Sequence, residues 1–279
     1  MQKLAVFDID GTITQDGVVP ESIEGGFAHL RELGYITTVS TGRGYVRARE
    51  ALGKHFDAVV VPDSLMIVEH GTKIVDAKGN VIEANYLQQN ELDHIVDFTR
   101  VNSDITRLVW FNPPQAGSRV QVWCQEKEDV AAEMQKRGHY ADVFTCSYKE
   151  LRERLSQQSL SNVSVKLKDY VVVENLKLHF TRSEIDTIFQ DKMMEFVRNV
   201  ADKAKAVEHI AAHLAVNFEN ILVAGNAIND VDMLNLGVGK RILVGEKDGA
   251  NSVFKYLTAP ETVVQVDSPE ALGLYLQKL

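Results

Sequence analysis

Cysteine is scarce in this chain. Cys124 and Cys146 are the only two and form no CxxC pair, so neither a disulfide framework nor a zinc site follows from them. Both read as packing residues of a core. Long apolar runs are also missing: no stretch approaches the ~18 residues of a membrane-spanning helix. The start MQKLAVFDID runs straight into a strand without the basic-then-apolar layout of a secretory signal, so a cytoplasmic protein with no membrane partner is expected. An excess of positive charge is absent as well. Thirty Lys and Arg face 39 Asp and Glu, a net charge of -9, which gives no bare electrostatic grip on nucleic acid or on an anionic membrane. An anionic ligand would have to meet cations gathered at one place, either side chains or a bound metal. Internal repeats and low-complexity tracts are lacking too. What remains is 279 residues, 45% hydrophobic and 25% charged, the composition of a globular enzyme with length for two medium domains.

Strands and helices alternate at the start of the chain. LAVFDID (4–10) is a short apolar strand, a helical pattern follows over 21–33 with Ile23, Phe27 and Leu30 on one face, and Gly34 stops it. YITTVSTGR (35–43) returns to strand character, GYVRAREAL to helix, and DAVVVP (57–62) reads as a further apolar strand. Such βαβ units predict a doubly wound, Rossmann-like parallel sheet covered on both faces, with its ligand crevice beyond the carboxyl ends of the strands. Gly79-Asn80 within KIVDAKGNVIEA is a hairpin signal. From about residue 85 to 191 the pattern changes to helix, strand, strand, helix, strand, helix, strand, strand. SRVQVWCQ and NVSVKLKD alternate with a period of two, which belongs to an antiparallel sheet with one covered face. The expected organisation is an α/β core of residues 1–84 and 192–279, with an α+β cap of residues 85–191 inserted in it. The βα rhythm is read to resume at MEFVRN and to continue through AKAVEHIAAHL, ENILVAGNAIND and RILVGEK.

Four stretches fall at the expected carboxyl ends of parallel strands: DIDGT (8–12), STGR (40–43), the Lys203 region and AGNAIND (224–230). Asp8 and Asp10, two apart on one strand, would crowd their charges on one face unless a cation lies nearby. Their residue types suit phosphoryl transfer. One carboxylate can attack phosphorus while a second carries the proton of the leaving group, and Thr41, Lys203 and a divalent cation can hold the phosphoryl oxygens. Each stretch also has a plainer reading: turn and helix-cap aspartates, glycines serving only a turn, a solvated lysine at a helix start. Their occurrence together, in this order, favours chemistry. Arg43 is left between touching phosphate and bracing its loop. Trp110 and Trp123, in the inserted region, are read as core residues ahead of sugar-stacking ones.

In these four motifs and their order the chain resembles the haloacid dehalogenase-like phosphatases. VEHGT (68–72), similar to an E-N-G stretch, and the insert between the second and third motifs resemble the Cof-like, sugar-phosphate phosphatase subgroup. The resemblance implies Asp8 as nucleophile, Asp10 as general acid and base, and Thr41, Gly42, Arg43, Lys203 and Asn229 around the phosphoryl group. It also implies Mg²⁺ held by Asp8, the Asp10 main-chain carbonyl, Asn226 and Asp230. Position 226 departs from the family, which carries Asp there as a metal ligand; with Asn the site loses a full charge, and Asp230 or Asp232 would have to compensate. The expected activity is Mg²⁺-dependent hydrolysis of a small phosphomonoester, a sugar phosphate by resemblance, through an aspartyl-phosphate. The cap would set the substrate. A phosphomutase using the same intermediate and a catalytically impaired relative that binds a phosphorylated metabolite remain as alternatives. The oligomeric state is not legible.

Overall fold

The computed structural model describes residues 2–112, 119–139, 141–168, 185–190, 192–198, 202–245 and 253–279. It divides into two compact units, Met1–Ala84 with Ala201–Leu279, and Asn85–Val200. The first unit opens with strands β1 (Lys3–Phe7), β2 (Tyr35–Val39), β3 (Leu65–Val68), β4 (Lys73–Asp76) and β5 (Val81–Ala84). The second holds β6 (Thr106–Phe111), β7 (Val120–Cys124), β8 (Ala141–Phe144), β9 (Asn162–Leu167), β10 (Ile185–Gln190) and β11 (Met193–Arg198). The chain then returns to the first unit with β12 (Ile221–Gly225), β13 (Lys240–Val244) and β14 (Val264–Val266).

The central sheet of the first unit runs β14-β13-β12-β1-β2, and every pairing in it is parallel. Alternate residues of β1 point to opposite faces and both faces are covered. Ala5 and Phe7 pack with Ile23, Phe27 and Leu30 of helix Glu21–Glu32 and with Leu272 and Leu276 of helix Pro269–Leu276. Leu4 and Val6 pack with Ala206, Val207 and Ile210 of helix Lys203–His213. This is the doubly wound, Rossmann-like core expected of the sequence. The chain leaves β1 toward β2 on one side and later returns on the other side as β12, so the strand order reverses at β1. The carboxyl ends of β1 and β12 are therefore the topological place for a ligand.

The hairpin at Gly79-Asn80 forms between β4 and β5, with Gly79 at φ +88 and the Asp76 carboxylate accepting from the backbone of Lys78 and Asn80. DAVVVP does not form the strand read there: Phe56–Val59 closes one helical turn, burying Phe56 and Val59 in the core. A short apolar run does not separate strand from buried helix by its pattern alone.

The second unit is a six-stranded sheet of order β10-β11-β9-β6-β7-β8, antiparallel except for the β7–β8 pair. Helices Gln89–Val101 and Tyr148–Ser156 bury Ile95, Phe98, Leu151 and Leu155 against Val109, Val163, Val165 and Phe196. Helix Lys127–Arg137 covers Val120, Val122 and Cys124 on another face through Val130. Trp123 is buried and its indole N–H donates to the Cys146 carbonyl at 3.0 Å, the core use expected of it. The boundary differs from the 191/192 reading, whose Asp191 lies outside the described residues. MEFVRN does not resume the βα rhythm, because Met193–Arg198 pairs antiparallel with both β9 and β10. Met194 and Phe196, two apart, both enter the core of this unit. Among the described residues no helix is long and apolar enough to cross a membrane.

Candidate active site

The loops after β1, β2 and β12 and the start of helix Lys203–His213 bring charged groups of all four motifs into direct contact with one another, as one buried cluster and one ion pair. Asp8 follows β1 immediately, and its amide continues the ladder by donating to the Ala224 carbonyl at 2.9 Å. Lys203 opens its helix behind the N-cap Asp202, whose carboxylate accepts from the Lys205 amide at 2.7 Å. Its ammonium donates to Asp8 Oδ1 at 2.7 Å and to Asp230 Oδ1 at 2.6 Å. The three side chains are buried, at 1% exposure for Lys203, 7% for Asp8 and 0% for Asp230. Two carboxylates share one ammonium. Burial, and then the charge of Asp230, push the Asp8 carboxyl up to about 7 in the metal-free chain, against the pull of Lys203. For Lys203 burial works downward, but Asp230 and Asp8 outweigh it and hold its pKa above the ordinary lysine value.

Both oxygens of Asp230, expected on the metal directly or through water, are engaged by groups of the protein. Its Oδ2 accepts from the Asn226 and Ala227 amides at 2.9 and 3.0 Å while its Oδ1 takes Lys203, so the carboxylate closes its own loop and anchors the lysine. Asn226 follows β12 and its Oδ1 accepts from the buried Thr12 hydroxyl at 3.2 Å. Gly11, at φ +80, lets the loop after β1 come this close, since a Cβ there would collide with the Asn226 amide nitrogen. Thr12 was not singled out in the sequence; a threonine beside a D-G turn carries no distinguishing signal.

Thr41 is fully buried, its amide donates to Ile67 O at 3.0 Å, and its Oγ1 accepts from the Arg43 amide at 3.2 Å. The Arg43 guanidinium grips Asp10 with two bonds of 2.7 Å, Nε to Oδ2 and Nη2 to Oδ1. The pair is part-exposed, so it fixes geometry more than it adds stability. In this geometry the guanidinium contacts the expected general acid. Asn229 is half-buried beside Asp230 and makes no hydrogen bond to the Asp8–Lys203–Asp230 cluster. Asp232, named as a substitute ligand, lies in the first turn of the short helix Val231–Leu234.

The residues present fit a hard, oxygen-seeking cation. Among the described residues no three His, Cys, Asp or Glu side chains converge as a metal cluster. Asp8, the Asp10 carbonyl and the Asn226 side-chain amide offer oxygen donors with a single formal charge between them, the donor chemistry such a cation takes. Mg²⁺, which keeps several waters, accepts so few protein ligands.

A family model described as haloacid dehalogenase-like hydrolase matches residues 5–251. An HMP-PP phosphatase of Serratia proteamaculans (strain 568) is 25% identical over 282 residues, covering 99% of this chain and 95% of that one. Among solved structures, a HAD subclass IIB sugar phosphatase superposes with a TM-score of 0.75 at 16% identity, over 99% of this chain and 98% of that one. A haloacid dehalogenase-like hydrolase from B. subtilis superposes with a TM-score of 0.75 at 15% identity, over all of both chains.

Proposed function

The chain belongs to the haloacid dehalogenase-like hydrolases, and from that premise we propose that it is a Cof-like phosphatase hydrolysing a small phosphomonoester through an aspartyl-phosphate at Asp8. The observation that carries the reading is the buried ammonium of Lys203 joining Asp8 to Asp230 at the reversal of strand order. A nucleophile that must meet an anionic ester needs its charge balanced by a fixed cation in a water-poor site, and Lys203 supplies one.

In the proposed reaction the second oxygen of Asp8 bonds to phosphorus as the bond from phosphorus to the alkoxy oxygen breaks. Asp10, released from Arg43 and protonated from solvent, gives that proton to the departing oxygen. As a carboxylate it then takes a proton from water while the water oxygen bonds to phosphorus and the bond from phosphorus to Asp8 breaks, releasing phosphate and restoring Asp8. The Thr41 hydroxyl, the Gly42 amide and the Arg43 guanidinium hold phosphoryl oxygens, with Lys203 offsetting their charge. Asp10 cannot act while both its oxygens accept from Arg43; an arriving phosphoryl dianion competes for the guanidinium and frees it. Mg²⁺, held by Asp8, the Asp10 carbonyl and Asn226, would draw charge from the phosphoryl oxygens when bound. Residues 85–200 are proposed to choose among esters. The relatives differ in what their names state, HMP-PP in one and a sugar phosphate in another. The phosphoryl group is common to both, and a sugar phosphate remains our reading of the other end. Asn226 supports a second reading, a binder of phosphorylated metabolites with little turnover.

The test is phosphate release with Mg²⁺ over a panel of phosphomonoesters, with Asp8→Asn run beside the parent. Release by the parent alone is expected. Equal release from both proteins removes Asp8 from the chemistry, and tight ester binding without release by either favours the second reading.

A further inference from the structure

The turn Glu69–Gly71, within the VEHGT stretch, has no part in the chemistry above, yet its backbone is unusual. Glu69, His70 and Gly71 stand in succession at φ 51, 59 and 93, the left-handed region that L side chains avoid. The turn is held from within: the Lys73 ammonium donates to the Glu69 carboxylate at 3.2 Å with both groups buried, and the Thr72 hydroxyl donates to the Glu69 carbonyl at 2.7 Å.

What the turn touches explains its shape. The Glu69 amide donates to the Arg43 carbonyl and the His70 amide to the Thr41 carbonyl, each at 3.0 Å, so two successive N–H groups grip the chain on either side of Gly42. The His70 imidazole lies against Gly42 itself, where any Cβ would fall inside the ring's van der Waals envelope. One residue further, Gly71 packs so closely on the Asp202 carbonyl and the Lys203 amide that a side chain there would strike them. A single rigid turn thus abuts the loop that presents Thr41 and the helix start that presents Lys203.

We propose that Glu69–Gly71 is a bracket that sets the Thr41–Arg43 loop and Lys203 in register, and that His70 is a positioning residue for the phosphoryl site. The proposal rests on the phosphatase reading of that site. The His70 ring is the wall against which the Gly42 backbone is seated, and its left-handed backbone is what turns two amides toward one loop. Displacing a phosphate-holding group by about 1 Å costs on the order of 100-fold in rate.

The experiment is a steric cycle. The parent, Asp8→Asn, Gly42→Ala, His70→Ala and the Gly42→Ala/His70→Ala double variant are assayed with p-nitrophenyl phosphate and Mg²⁺, with kcat and KM resolved and inhibition by inorganic phosphate measured. Gly42→Ala is expected to lose about 100-fold in kcat/KM. The double variant, in which the new methyl occupies the space the ring leaves, should recover to within about threefold of His70→Ala, a coupling of opposite sign to additivity. His70→Asn, which tolerates a left-handed backbone, should retain more activity than His70→Val, which does not. Multiplied losses in the double variant, or a Gly42→Ala enzyme equal to the parent, would overturn the bracket while leaving the phosphatase intact. A parent no faster than Asp8→Asn would overturn the phosphatase reading and the bracket with it.

Discussion

Replacing Asn226 by Asp adds one full charge with almost no change in shape, at a residue whose surroundings are defined. The Thr12 hydroxyl, 3.2 Å from Oδ1, would still donate, now to an anion. Opposite a divalent cation at about 4 Å and an effective dielectric constant near 20, the added charge contributes roughly 8 kcal/mol of attraction. Most of this is offset. Asp230 places Oδ2 only 2.9 Å from the amide nitrogen of residue 226, Asp8 shares the same ammonium, and a new carboxylate gives up hydration to enter the site. A net gain of ~1.4 to 2.8 kcal/mol is the expected remainder, a 10- to 100-fold tighter Mg²⁺ dissociation constant. Without metal the same substitution adds a carboxylate to the residue whose backbone amide Asp230 accepts from, so Asn226→Asp should melt below the parent in chelator and gain more from saturating Mg²⁺. Titration calorimetry with MgCl₂ and thermal melts with and without the ion read both effects. A dissociation constant within twofold of the parent's would refute the placement of residue 226 at the metal, and with it the charge argument for the weakened site.

Two further outcomes follow from the buried cluster. Lys203→Met leaves Asp8 and Asp230 facing each other without a counter-charge, which is expected to cost ~3 to 5 kcal/mol and to lower the melting temperature by about 10 °C in the metal-free protein; a melt within about 2 °C of the parent would contradict the geometry. The pH dependence has a definite sign. Because Asp8 is raised from 3.8 to about 7 in the folded metal-free chain, its proton favours the fold. That stabilisation is present at low pH and is lost as pH rises through 7. Mg²⁺ must displace the same proton, so its affinity should climb about tenfold per unit below pH 7 and level off above it, with proton release visible as a buffer-dependent heat. An affinity flat from pH 5.5 to 8 would show that Asp8 is already ionised throughout.

Much of the core was legible because its signals are local. The apolar run of β1 with Asp8 at its end, the one-faced helix over Ile23, Phe27 and Leu30, and the Gly79-Asn80 hairpin all declare themselves within a dozen residues. The strand read at DAVVVP and the resumed rhythm at MEFVRN failed for the converse reason. The first depends on Phe56 finding a core pocket, and the second on β9 and β10 offering edges on both sides. The site divides the same way. Residue types and motif order pointed to Asp8, Thr41 and Lys203, but the bond from Lys203 to Asp8 spans 195 positions and the Arg43–Asp10 clamp spans 33. No pattern in the chain encodes either. That Asp230 spends its second oxygen on the amides of Asn226 and Ala227 is a short-range matter, yet the same letters would serve a ligand equally well.

Charge counting ties these pieces together. Arg43 and Asp10 neutralise each other, and Asp8 and Asp230 exceed Lys203 by one negative charge. An aspartate at position 226 would leave the pocket with two. On the proposed reading, a phosphoryl dianion entering the more negative pocket would depend on the metal being there first, whereas the pocket with Asn226 would repel the dianion less and hold the metal less firmly. The substitution therefore shifts the order of events toward ester and cation arriving together. Saturation by Mg²⁺ in this protein should tighten in the presence of a phosphate mimic such as inorganic phosphate by a larger factor than in Asn226→Asp, and the reverse ranking would break the argument.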